Sequence, residues 1–443
     1  MARDFAELPD LGATLNEEHL RRAVRVAAEG RPGPVLLSLP LDVQQRPVVP
    51  RAAVQGGPAA PARGSGRLYR PAADPQAAQE AAGLLAAAQR PVLIVGGGVS
   101  GDRARAAVAA LAAAADAPVV TTWLRKSQFL DDDPHYVGAL GYGAHRAAED
   151  AVRTADVVLA VGCRFSEFTT RRWTLVPADA TVIQVDVDAE QIGRVLPVAV
   201  GIQADAALAA EAIGQAIGRP PRALGRATRR RELRARYEEE SVIPGGGPST
   251  SPVPSGALVA ELQARSTGTR RCWCRTCTRS GRGSRGTCGS ASPTATSPPT
   301  AAAWAGACPP RWASRWPGRT GRSSPCSATA ASGWSPRTWA TIRERLPVVC
   351  VVVNNFSFGN TRDRQRLAHG GRYLGVFYDN PDFAAYARLL GAHGERVDKS
   401  GDLAGAIDRA VASGRPAVID VVQDQQEGLP PGLAPPAAHP NPA

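Results

Sequence analysis

Six consecutive residues, Val348-Val349-Cys350-Val351-Val352-Val353, are apolar and mostly β-branched, and they run straight into Asn354-Asn355 and a turn at Gly359. A continuous apolar run of this length reads as a strand buried on both faces, unlike the alternating strand of a half-solvated sheet. Strands of that kind belong to parallel sheets covered by helices, which restricts the chain to α/β architectures. In open α/β sheets, ligands lie beyond the carboxyl ends of the strands. Amide oxygens at Asn354 and Asn355 are therefore placed to reach a ligand or a hard cation. An Asn-rich turn that merely caps the strand is the competing reading.

Residues 76–218 repeat the theme. Pro91-Val-Leu-Ile-Val-Gly96-Gly97-Gly98, the strand beginning at Ala117, Ala155-Asp-Val-Val-Leu-Ala-Val-Gly162 and Ala180-Thr-Val-Ile-Gln-Val-Asp186-Val-Asp188 alternate with Ala-rich helical segments. This alternation predicts a doubly wound parallel sheet. Gly96-Gly97-Gly98 would let a backbone approach a phosphate, but the run lacks the full spaced fingerprint, and tight strand-to-helix turns use glycine for geometry alone. Asp186 and Asp188 read as a solvated strand end. Ahead of this unit, the segment from Leu15 to Glu29 has helical apolar spacing, Gly33 to Asp42 reads as a short buried strand, and a breaker-rich linker follows to Pro75. Residues 221–240 read as a charged, solvated inter-domain helix.

A net charge of +12 and a pI near 9.8 would ordinarily point to nucleic acid or an anionic surface. That balance misleads here, because residues 265–340 hold twelve Arg and no Asp, Glu or Lys, and so account for the whole excess. The same stretch contains no Leu, Ile, Val, Met, Phe or Tyr, yet carries six of the eight Cys and six of the eight Trp. With so little to bury, it is expected to be disordered. Cys272, Cys274, Cys277 and Cys288 could form a zinc cluster, although no His accompanies them, and Arg interleaved with Trp could bind a single nucleic-acid strand. The third reading is an error of frame, suggested by 50 Arg against 2 Lys, a sign of GC-rich codons. Taken from each codon's third base, with synonymous codons chosen freely, codons 322–330 can encode Val-Val-Ala-Val-Leu-Gly-Asp-Gly, a buried strand and turn. This reading is favoured over zinc or nucleic acid.

The pattern from Asn354 to Gln365, with Gly370-Gly371-Arg372-Tyr373, Asn380-Pro381-Asp382-Phe383 and Gly391-Ala392-His393-Gly394, resembles the C-terminal domain of the thiamine-diphosphate-dependent, acetolactate-synthase-like enzymes. The resemblance implies two doubly wound α/β domains, a central one over 76–218 and an incomplete cofactor domain over 251–430. The cofactor domain is interrupted by the disordered insert at 265–340. Residues 1–50 would be a remnant of the pyrimidine-binding domain, 51–75 a linker, 219–250 a helical linker and 431–443 a disordered tail. It further implies a small 2-keto acid substrate, a homo-oligomer and, in some members, a flavin (FAD), which nothing here supports. Thiamine diphosphate would be contacted by Asn354, Asn355, Phe358 and Gly359, and Mg²⁺ by Asn355 and the main-chain carbonyl of Ser357. The family's metal-binding Asp would fall across Ala328 and Thr329, where this chain has no carboxylate. The family's catalytic Glu lies in an N-terminal segment that has no counterpart here, so no catalytic residue is assigned. The chemistry itself belongs to the cofactor, whose ylid adds to the keto acid. The expectation is a cytoplasmic protein without membrane or nucleic-acid partners, inactive as it stands; the alternative is a non-catalytic α/β binding module with a basic, Cys-rich insert.

Resequencing of the coding DNA is expected to reveal compensating insertions or deletions near codons 264–271 and 338–341, where aliphatic residues vanish and return. An uninterrupted frame encoding these same residues would remove that reading.

Overall fold

The computed structural model describes residues 17–38, 41, 69–141, 143–218, 224–242, 247, 249–265, 326–329, 345 and 347–425. Helix α1 (Glu17–Ala28) forms where apolar spacing predicts it. The segment after it is not a buried strand: residues 32–38 are extended without ladder partners, and Leu36 is exposed. A strand needs a neighbour for its backbone groups, and none lies beside it among the described residues.

The first sheet is assembled from α2 (Pro75–Ala87), β1 (Pro91–Val95), α3 (Asp102–Ala115), β2 (Val119–Thr121), β3 (Tyr136–Ala139), α4 (Arg146–Arg153), β4 (Val157–Val161), β5 (Thr181–Asp186), β6 (Val200–Gln203) and α5 (Ala206–Ile217). Its strands are all parallel, in the order β3-β2-β1-β4-β5-β6, the doubly wound arrangement expected from the alternation. Because side chains alternate along a strand, Leu93 and Val95 face one layer while Val92 and Ile94 face the other, and all four are buried. The first layer is α2, α3 and α5, whose small Ala-rich faces pack closely around Leu85, Leu111 and Ile213. The second is α4, through Ala148, Ala151 and Val152. Asp74 and Asp205 start α2 and α5 by accepting from the amides of Ala77 and of Ala207 and Leu208. Strands β3 and β6 were not legible in advance: each is four residues long, and Gly138 and Gly201 interrupt their apolar patterns.

Helix α6 (Leu224–Glu240) is docked, contrary to the solvated helix expected from its charge. Leu233 and Tyr237 enter the two cores, and the Arg residues turn inward onto backbone carbonyls. Arg226, 3% exposed, donates to Ala86 O at 2.7 Å, Ala115 O at 3.2 Å and Ala88 O, at the carboxyl ends of α2 and α3. Arg229 reaches Ala151 O in the last turn of α4 at 2.8 Å, and Arg234 gathers the carbonyls of Asp131, Asp133 and Tyr136. The last carbonyls of a helix lack intrahelical donors and form its negative end, so the guanidinium groups of Arg226 and Arg229 satisfy both requirements at once.

The second sheet comprises α7 (Ser255–Ala264), β7 (Cys326–Thr329), β8 (Val349–Asn354), α8 (Gly359–Ala368), α9 (Phe383–Leu389), β9 (His393–Val397), α10 (Leu403–Ala412) and β10 (Ala417–Val422). It is parallel, in the order β7-β8-β10-β9. Val349, Val351 and Val353 pack with α7 and α10, while Val352 meets Phe383 and Ala387 of α9, so β8 is covered on both faces as predicted. Strand β7 corrects the expectation that 265–340 is disordered throughout, since Ala328 pairs with Val352 and Thr329 with Val353. Ladder bonds need no apolar side chain, and the exposed edge of β8 supplies the template. Arg265 is also fixed, by Asp408 at 2.9 Å. Residues 266–325 and 330–340, with the proposed zinc Cys residues, lie outside the described residues. Among the described residues, no helix is long and apolar enough to cross a membrane.

Charge-assisted hydrogen bonds contribute more than neutral ones, and Arg226 makes three. Arg226→Ala is therefore expected to cost about 3 kcal/mol of stability and Arg231→Ala, on the exposed face, less than about 0.5 kcal/mol. Urea denaturation followed by circular dichroism checks the difference.

Candidate cofactor site

Strand β8 delivers the Asn pair to the carboxyl edge of the second sheet, between β7 and β10. The two Asn residues have different surroundings. Asn354 is fully buried: its Nδ2 donates to Asp420 Oδ1 at 3.0 Å, and its Oδ1 accepts from Asn380 Nδ2 at 2.8 Å. Asp420, also fully buried, further accepts from Arg396 at 3.1 Å and from the amide of Phe383 at 3.3 Å. Burial pushes its carboxyl above the usual aspartate value, against the opposing pull of Asn354 and Arg396. Asn355 is half-buried, and its Oδ1 accepts from the amide of Ser357 at 3.3 Å, an Asx turn.

Within that turn Phe356 has φ +51°, a left-handed conformation uncommon for a bulky residue. The surroundings hold it there, since its carbonyl accepts from Tyr378 N at 3.1 Å and from Gln425 Nε2 at 3.1 Å. Ser357 is buried and forms an antiparallel bridge with Phe377; its carbonyl accepts from the Tyr378 hydroxyl at 3.3 Å. Phe358 is half-exposed, donates its amide to Val376 O at 2.9 Å and sets its ring 4.7 Å from that of Tyr378. Gly359 opens α8, whose N-cap Phe358 offers no side-chain acceptor, so the positive end of the helix faces this edge. Arg362, 2% exposed, locks the turn from behind through Asp363 at 2.9 Å and the carbonyl of Gln425.

The structure thus brings Asn354, Asn355, Ser357, Phe358 and Gly359 to one edge, with the Asn355 Oδ1 and the Ser357 carbonyl as neutral oxygens. Both already accept hydrogen bonds within the protein. The neighbouring strand ends at Ala328-Thr329, neither of which is acidic, and among the described residues no cluster of three His, Cys, Asp or Glu could hold a metal. A magnesium site of this kind relies on one or two carboxylates together with phosphate oxygens. The described residues, with no carboxylate beside these two oxygens, do not by themselves make up a complete magnesium–diphosphate cradle. Asp420 and Tyr378 were missed from sequence. For Asp420 a signal existed, a lone acid inside the apolar run Ala417-Val-Ile-Asp-Val-Val422.

At the corresponding edge of the first sheet, the glycine turn serves packing. A Cβ on Gly96 would lie 2.1 Å from the carbonyl oxygen of Gly162, and one on Gly98 2.7 Å from the Gly162 Cα. The space beside these glycines is filled by the neighbouring strand end, and that beside Gly97 by Arg125. Asp186 and Asp188, expected to be solvated, are 7% and 6% exposed. Asp186 accepts from the Asp188 amide at 3.0 Å, and Asp188 pairs with Arg31 at 3.6 Å. The folded-back turn, invisible to composition, draws both under cover.

Comparison with known proteins agrees with this layout. Residues 78–213 match the thiamine pyrophosphate enzyme central domain, and residues 333–421 the thiamine pyrophosphate enzyme C-terminal TPP binding domain. The chain is 27% identical to a probable acetolactate synthase large subunit of Methanocaldococcus jannaschii, over 93% of this chain and 70% of that protein. It is 27% identical to the acetolactate synthase isozyme 2 large subunit of Escherichia coli, over 99% of this chain and 75% of that one. A sulfoacetaldehyde acetyltransferase of Rhodobacter capsulatus is 40% identical over a shorter span, 34% of this chain and 26% of its own. With one matched domain on each sheet and the Asn turn at the edge of the second, the chain belongs to the acetolactate-synthase-like family of thiamine-diphosphate-dependent enzymes.

Proposed function

We propose that the chain carries the scaffold of a thiamine-diphosphate- and Mg²⁺-dependent 2-keto acid decarboxylase or carboligase, and that it does not catalyse that reaction as it stands. The parent protein would be a cytoplasmic homo-oligomer acting on a small 2-keto acid. Its cofactor would lie beyond β8, contacted by Asn354, Asn355, Phe358 and Gly359, with Asn355 and the Ser357 carbonyl toward the metal. The observation that carries the reading is the register of β7 on β8. Thr329 pairs with Val353, two residues before Asn355, so the end of β7 is the neighbouring position from which a carboxylate could join that side chain. Ala328 and Thr329 supply none.

A shifted frame accounts for the loss. In the alternative frame the Asp of Gly-Asp-Gly spans codons 328 and 329, which are the last two residues of β7. The strand therefore survives as backbone, while its chemistry does not. This favours an impaired enzyme over a binding module built around a basic insert, since a module would have no need for a strand at that register.

Calorimetric titration with thiamine diphosphate and magnesium tests the proposal. The chain is expected to show no tight binding; a frame-restored version should bind the cofactor in a magnesium-dependent manner, and Asn355→Ala in that version should abolish binding. Tight binding by the present chain, or binding by the restored one that ignores Asn355→Ala, would show the site to be wrongly assigned.

A further inference from the structure

The oxygens that a cation would claim are already organised from within. Residues 356–358 are zipped to 376–378 by Phe358 N–H to Val376 O at 2.9 Å, Tyr378 N–H to Phe356 O at 3.1 Å and the Ser357–Phe377 bridge. That pairing brings the Tyr378 hydroxyl to the Ser357 carbonyl at 3.3 Å, with the Phe358 ring covering the phenol. A carbonyl oxygen can only accept, so the Tyr378 hydroxyl is the donor in this contact. On the other side of the turn, the Ser357 amide is taken by Asn355. A positive φ at Phe356 persists only where the surroundings over-determine it, and three side chains meet the turn: Tyr378, Gln425 and Arg362.

We propose that the Tyr378 hydroxyl takes, at the Ser357 carbonyl, the place of a cation, so that the turn after β8 is formed and held without metal. Tyr378 is then a positioning residue, acting on the turn through one carbonyl. The inference rests on the reading of that turn as the cofactor edge, but its test involves no thiamine diphosphate, so the two can fail separately.

Hydrogen exchange of the full chain, in EDTA and in magnesium, reads the Ser357, Phe358 and Tyr378 amides directly. Protection in the unsubstituted chain should be the same in both solutions. Tyr378→Phe keeps the ring against Phe358 and removes only the hydroxyl. It should speed exchange at these three amides about threefold, the scale of one long neutral hydrogen bond, while the amides of β8 and of β1 keep their protection. Protection that rises when magnesium is added to the unsubstituted chain would overturn the inference, because the turn would then need the ion. It would equally be overturned if Tyr378→Phe left the three amides unchanged, or loosened β8 as a whole.

Discussion

The ladders that β8 forms on both of its edges are the constraint on which the candidate site depends. On one side six residue pairs join it to β10, and on the other four join it to β7. These bonds are made by the backbone and are indifferent to side-chain chemistry. They therefore fix where Asn355 leaves the sheet whether or not the neighbouring strand carries useful residues. A strand made of Cys, Ser, Ala and Thr can occupy the edge of β8 while bringing no carboxylate to it.

Behind the ladder, a buried carboxylate sets the direction of the turn. Asp420 stands in the middle of an apolar strand and is compensated by the Asn354 amide, the Phe383 amide and the partly exposed Arg396. A buried charge is tolerated only when paired and hydrogen-bonded, and these partners come from β8, α9 and β9. Satisfying one acid thus draws three elements to a common point. Asn354 is spent on that task, which leaves Asn355 as the residue whose side chain faces the loop and can respond to what lies beyond it.

The first sheet solves a related problem with the opposite charge. Its helices end in carbonyls that point at no donor of their own, and α6 lays Arg226 and Arg229 across them, while Arg234 gathers the carbonyls of the loop leading into β3. A sequence so rich in Arg suggests solvent or a polyanion. In the folded protein, these particular guanidinium groups are internal cement, and the net charge of the region says little about partners.

The buried strands β1, β4, β5 and β8 were legible because an apolar, β-branched run leaves few alternatives, and the doubly wound order followed from their alternation with helices. The position of the Asn354-Asn355 turn at the carboxyl edge of the sheet was legible because polar residues at the end of such a buried strand must leave the sheet there. Strands β3 and β6 were hidden by their length and by glycine. The burial of Asp186 and Asp188, the docking of α6 and the role of Tyr378 depend on neighbours 21 or more positions away in several of their contacts, as in Tyr378 to Ser357. Local residue type thus determined which segments are strands and which turn carries polar groups. Only tertiary structure decided which of those groups remain available, because a hydrogen-bond partner brought in by folding leaves no mark on the sequence beside it.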